Sequence, residues 1–193
     1  MSLPHAILTS LLEKPCTGAE LARRFDKSIG HFWQATHQQI YRDLAKLEGA
    51  GWIAARGLAT ARGSQRHFDV LPGGRAELER WTSVAEDPRP IRDELLVRLR
   101  AAAVLGTVDV RGEILRHRGL HEAALAGYRV IEARDFPPGR ELNRAGNLQY
   151  AVLAAGIAFE EAWLAWCGET LQRGESLQCG EVLQNEEDPA ERG

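Results

Sequence analysis

Cysteine is scarce in this 193-residue chain: there are three, and none stands at CxxC spacing. Cys16, Cys167 and Cys179 offer neither a disulfide framework nor a zinc-finger ligand set, and an odd, scattered trio suits a reducing compartment. Also missing are a G-x-S-x-G elbow, a glycine-rich phosphate loop, carboxylates paired at a plausible pocket and a defensible Cys–His pair. The chain is therefore read as no enzyme, with no cofactor and no bound metal. The opening MSLPHAILTSLLEKPC lacks the basic start, apolar core and cleavage site of an export signal, and no apolar run is taken to reach the length of a bilayer span. The expected location is the cytoplasm, away from membranes.

What is present describes an ordinary globular chain, 44% hydrophobic and 26% charged. Its formal charge of −3 argues against indiscriminate coating of nucleic acid, but the sign is unevenly spread. From Thr17 to Pro72 there are eight Arg and Lys against five Asp and Glu, a net +3, which leaves −6 on the remainder. The basic surface therefore belongs to one stretch.

That stretch has a clear grammar. Leu3, Ile7, Leu8, Leu11 and Leu12 recur at helical spacing until EKPCT interrupts them with proline. TGAE at Thr17–Glu20 is a capping box that opens a second helix with Leu21, Ala22 and Phe25 on its apolar side. THQQ is another, with Thr36 as the cap and Gln39 at the third helical position. The helix it opens buries Ile40, Leu44 and Leu47, ends near Gly49 and Gly51, and turns His37, Gln38, Tyr41, Arg42, Ala45 and Lys46 outward. WIAARG and QRHFDVL then alternate as two strands around LATARGS, and PGGRAELERWTSV resumes helix.

AEDPRP, residues 85–90, reads as a linker. Beyond it the pattern is helical. Ile91, Leu95 and Leu99 form one stripe, and Gly106 with Thr107 marks a break and a fresh cap. Val110, Ile114, His117, His121, Ala124, Tyr128 and Ile131 alternate spacings of four and three, as do Leu148, Val152, Ala155, Phe159, Ala162 and Trp166. This is the rhythm of helix seams and predicts pairing between subunits.

The predicted fold is mainly α. Residues 1–84 form a winged helix-turn-helix of three helices, a two-stranded wing and a fourth helix; residues 85–90 link it to a long-helix dimerisation domain over 91–183, and an acidic flexible tail occupies 184–193. In such a layout the third helix enters the major groove of double-stranded DNA. Thr36, His37, Gln38, Tyr41, Arg42 and Lys46 on that helix, with Arg62 and Arg66 on the wing, are the expected DNA-binding residues. Arg suits guanine edges, Gln suits adenine, and Tyr and Lys suit phosphate. Arg56 is expected to face the backbone or minor groove as well. A solvated helix face is the bland alternative; the two capping boxes, the hairpin and the local positive charge outweigh it.

FWQATHQQIYRDLAKLEGAGWI, an Arg- and Gly-containing turn, and RHFDVLPGGRAELERW together resemble the PadR family of transcriptional regulators. The matching positions are Tyr41, Leu44, Leu47, Glu48, Gly51, Gly74, Arg75 and Leu78, within a resemblance that spans Leu3 to Trp81. Leu71 and Pro72 stand where members often carry a Ser or Thr cap, and the Thr-His-Gln-Gln entry departs from the commoner one. The resemblance implies a homodimeric repressor, often autoregulatory, in which ligand or stress signals reach the DNA heads through the C-terminal helices.

Two side-chain groups carry alternatives. Trp33, Trp81, Phe159, Trp163 and Trp166 could wall an effector pocket for a small aromatic ligand, or simply pack core and interface. His117 and His121, four apart, have metal-ligand spacing but no companion ligands, and are placed at the dimer seam, where their titration would soften the dimer in acid. The rival function is a winged-helix protein-interaction module without specific DNA binding; a third is a sensor or enzyme built on the C-terminal helices.

Overall fold

A computed structural model describes residues 3–27, 35–60, 63–88 and 90–173. The chain divides into two compact units, Met1–Arg89 and Pro90–Gly193.

In the first unit the elements run α1 (Leu3–Glu13), β1 (Cys16–Thr17), α2 (Gly18–Lys27), α3 (His37–Gly49), β2 (Ile53–Thr60), β3 (Gly63–Val70) and α4 (Pro72–Thr82). Their apolar stripes meet in one core: Ile7, Leu8 and Leu11 from α1, Leu21, Ala22 and Phe25 from α2, and Ile40, Leu44 and Leu47 from α3, closed by Ile53 and Phe68 of the sheet. Both capping boxes form. The Thr17 N–H donates to Glu20 Oε2 at 2.9 Å and the Glu20 N–H to Thr17 Oγ1 at 3.2 Å, while Thr36 and Gln39 exchange the same pair of bonds at 2.8 and 3.2 Å. Gly51, at φ +69°, ends α3 in the left-handed conformation that glycine adopts without strain.

The wing differs from the expected hairpin in two respects. Its ladder runs from Ile53↔Val70 to Thr60↔Gly63, so Leu58, Ala59, Thr60, Gly63 and Ser64, expected in the loop, are paired strand residues. A third strand is also present, since Cys16 and Thr17 pair with Phe68 and His67 and give the order β1-β3-β2. Two residues carry no alternation, and so this strand leaves no periodic signal.

α4 answers the missing Ser/Thr cap. Leu71 at its N-cap offers no side-chain bond, but the Leu71 N–H donates to the Trp52 carbonyl at 2.8 Å, and Pro72, which has no N–H, takes the first helical turn. A Cβ on Gly74 would lie 2.4 Å from that same carbonyl oxygen, so only glycine lets the helix sit this close to the strand entry.

In the second unit α5 (Glu94–Leu105) is capped by Asp93, whose carboxylate accepts from the Leu95 N–H. Of its expected stripe, Leu95 is buried and Leu99 half-buried, whereas Ile91 precedes the helix and is exposed. α6 (Arg111–Asp135) does not start at Thr107; the Asp109 carboxylate accepts from the Arg111 N–H at 2.8 Å. α7 (Arg144–Gln172), capped by Asn143, returns antiparallel along α6, as the pairings of His121 with Glu160 and Glu132 with Tyr150 require.

This hairpin redistributes the expected seams. On the α6 row His121 and Tyr128 pack on α7 of their own chain, and Ile114 is fully buried. On α7 the buried row is Leu153, Ile157, Glu160 and Cys167, one or two positions along from the expected one. Among the described residues the row read from the sequence stays open, with Leu148 61%, Val152 51% and Phe159 56% exposed. With two apolar rows on one helix, α7 differs in one respect from the expected absence of long apolar runs: by length and composition alone it is long and apolar enough to cross a bilayer. Glu160 and Glu161 break the uncharged run, which is why run length did not register it. The expected tail, residues 184–193, lies outside the described residues.

Candidate nucleic-acid interface

Thr36, His37, Gln38, Tyr41, Arg42, Ala45 and Lys46 are all exposed on α3, opposite the buried Ile40–Leu44–Leu47 row. The helix has 13 residues, roughly 20 Å at 1.5 Å per residue, enough to lie along a groove. Its capped N-terminus directs backbone N–H groups and the positive end of the helix dipole toward Thr36 and His37, a setting that favours phosphate.

The face is not a bare row of side chains. Asp43, only 4% exposed, sits beneath it; its Oδ1 lies 3.1 Å from Lys46 Nζ and 3.9 Å from Arg42 Nε. This acid was not singled out from the sequence, where an isolated Asp on a polar helix carries no signal. Tyr41 is 49% exposed, and one edge of its ring lies over the first residue of α2, where a Cβ on Gly18 would come within 2.6 Å of Cε1. Gly18 thereby lets the two helices of the helix-turn-helix approach through the Tyr41 ring.

The wing arginines are engaged within the chain. Arg66 Nη2 donates to both oxygens of Glu48, at 2.6 and 2.7 Å, and its guanidinium stands 5.5 Å over the Phe68 ring. Arg56 donates to Asp69, with Nε–Oδ2 2.7 Å and Nη2–Oδ1 2.6 Å; this bond holds the Asp69 carboxyl below its usual range. Arg62 lies outside the described residues. The expectation of Arg66 and Arg56 as residues facing DNA thus meets an intramolecular partner at each.

The aromatic set is sorted by unit. Trp33 lies outside the described residues. Trp81 stacks on His5, ring centroids 4.4 Å apart, and so seals α4 against α1. His5 Nε2 is 3.1 Å from Glu77 Oε1, and Arg80 donates to both Glu77 oxygens at 2.7 Å. These bonds, Arg80 first and His5 second, draw the Glu77 carboxyl down to about 2.

In the second unit Phe159, Trp163 and Trp166 do come together. Trp163 meets Trp166 edge-on at 5.1 Å and Phe159 at 6.3 Å. His121 stacks on Trp163 at 5.1 Å, and its Nδ1 lies 2.5 Å from Glu160 Oε2. His121 is therefore tied inside the helical hairpin of its own chain, while His117 stands 3.4 Å from Glu113. Among the described residues no three His, Cys, Asp or Glu side chains are grouped to hold a metal ion.

Residues 7–80 match the family described as Transcriptional regulator PadR-like family, and residues 91–174 match Virulence activator alpha C-term. Over 183 residues, 89% of this chain and 97% of the other, it is 40% identical to the probable transcriptional regulator Rv1176c of Mycobacterium tuberculosis. The chain belongs to the PadR-like family of transcriptional regulators.

Solved structures agree with this PadR-like fold. The Bacillus subtilis PadR in complex with operator DNA superposes with TM-score 0.79 at 21% identity, covering 90% of this chain and 98% of that one. The same protein with p-coumaric acid gives 0.72 at 22% identity, covering 91% and 99%. The Vibrio cholerae virulence activator AphA gives 0.73 at 28% identity, covering 92% of this chain and 100% of that one. As a member, the chain is a DNA-binding transcriptional regulator with a winged helix.

Proposed function

We propose that this PadR-like regulator is a homodimeric repressor that reads a pseudo-palindromic operator and responds to a small aromatic effector. The observation that carries the reading is the polar face of α3, held clear of the core by its capped start and offering Gln38, Tyr41, Arg42 and Lys46 together. Two such helices, one per subunit, enter successive major grooves about 34–36 Å apart. Gln38, Tyr41 and Arg42 read base edges; Lys46, Thr36, His37 and Arg62 hold the backbone.

Residues 1–84 serve as the DNA-binding domain, 85–90 as the linker and 91–183 as the dimerisation domain. The uncovered α7 row of Leu148, Val152 and Phe159 supports pairing with a second copy, since burying each such side chain is worth about 1.5–3 kcal/mol. For the effector, the Phe159–Trp163–Trp166 cluster supplies apolar rings, with Trp81 and Trp33 as the remaining candidates. Solved PadR with p-coumaric acid makes a phenolic acid the first ligand to try. The site of action is the cytoplasm, where the DNA is.

A gel shift on the DNA just upstream of its own coding region, run at several salt concentrations and repeated with p-coumaric acid, tests the reading. Binding is expected to discriminate against a scrambled duplex, to weaken steeply as salt rises and to be relieved by the ligand. Equal affinity for both duplexes would favour a protein-docking module instead.

A further inference from the structure

We propose that Glu48 is a positioning residue for DNA recognition: through Arg66 it fixes the base of the wing against the last turn of α3, so that Arg66 works as a strut and not as a phosphate contact. The inference rests on the reading of α3 as the DNA-reading helix.

Glu48 is conspicuous by its place. It lies one residue before the end of α3, where the exposed carbonyls make a negative side chain unfavourable unless a cation answers it. The answering cation comes from a different element eighteen residues away. Arg66 Nη2 reaches both carboxylate oxygens, at 2.6 and 2.7 Å, and the Phe68 ring beneath the guanidinium limits where it can swing. Arg66 is paired in the ladder with Gly57, which has no side chain to offer on β2. The pair therefore joins the recognition helix directly to β3, the central strand of the wing.

Both partners are more than a third exposed on their outer sides, and an exposed pair of this kind adds little to global stability. What it selects is the pose of the wing relative to α3. A phosphate approaching Arg66 would have to displace a carboxylate held by two short bonds, and would meet the Glu48 charge as it did so. Arg56, bound to Asp69 on the same ladder, is tied in the same manner, so the wing base is braced twice before it meets DNA.

The test uses the full chain and a duplex selected by it from a random library. Affinity is measured by fluorescence anisotropy at several salt concentrations for Glu48→Gln, Arg66→Ala, the double variant and the exchanged pair Glu48→Arg with Arg66→Glu, with thermal melting of each. A strut predicts that both single variants and the double lose affinity by a similar factor, about tenfold, without multiplying. It predicts that the exchanged pair recovers most of it, that melting hardly moves, and that the slope of log affinity against log salt stays at the wild-type value. A slope shallower by about 0.9 for Arg66→Ala, the signature of one lost phosphate contact, would overturn the proposal. So would Glu48→Gln binding as well as, or better than, the wild type. If the library yields no consensus, the DNA-reading role itself fails; if it yields one that all variants bind alike, only the strut does.

Discussion

Arg42 and Lys46 flank a buried carboxylate, and on the proposed reading of α3 that arrangement separates two kinds of DNA contact at the level of single residues. Asp43 lies 3.1 Å from Lys46 Nζ but 3.9 Å from Arg42 Nε, so the guanidinium is the less committed of the two and the better placed to reach a base edge. Arg42→Ala is expected to lower specific binding by about 1–3 kcal/mol while leaving binding to a scrambled duplex nearly unchanged. Equal loss on both duplexes in a titration would reassign Arg42 to phosphate. Glu77 makes the corresponding case for stability. Its carboxyl is held at about 2 against an ordinary 4.5, chiefly by Arg80 and then by His5. A carboxyl lowered in the folded state contributes stability that is present above its ordinary value and is lost as pH falls from 4.5 toward 2. Glu113, drawn down to about 2 by Arg116, adds a similar dependence in the second unit. Thermal melting of Glu77→Gln should therefore decline less steeply over that acid range than the wild type, but not become flat. Parallel curves would remove Glu77 from the account.

At the scale of elements, α7 carries the sharpest expectation, because it is apolar on two sides and its own chain covers one. Val152→Glu places a charge on the open row and is expected to weaken self-association by about 3–5 kcal/mol, the cost of an uncompensated charge in a buried setting. The helical content should remain. Leu153→Glu, one position along on the covered row, should instead disrupt the hairpin itself. Sedimentation paired with circular dichroism distinguishes the two, and a dimer unmoved by Val152→Glu would rule out this row as its seam. The same helix shows where sequence reading runs out. Spacings of four and three recur on both rows, and periodicity does not say which partner each row meets. The α3 start was legible because Thr36 and Gln39 are three residues apart and their bonds are local. Glu48 and Arg66 stand on elements separated by the whole of β2, and the need for glycine at position 74 depends on a carbonyl of Trp52, so neither was readable from a local pattern. β1 was too short to alternate.

For the molecule as a whole, the uneven charge matters more than its sum. The stretch that builds α3 and the wing is net positive, while the rest of the chain is negative enough to outweigh it. On the proposed reading this asymmetry orients the approach to DNA, and the advantage is screened once the Debye length shrinks below about 10 Å. The open row of α7 works on a different variable. On the homodimer proposed above, water touches that row only when a subunit is alone, so each subunit's folding free energy contains its neighbour's abundance. Dilution should then act as a mild denaturant: the melting midpoint would climb with protein concentration, and a cell holding few copies would hold them in a looser, less DNA-competent form.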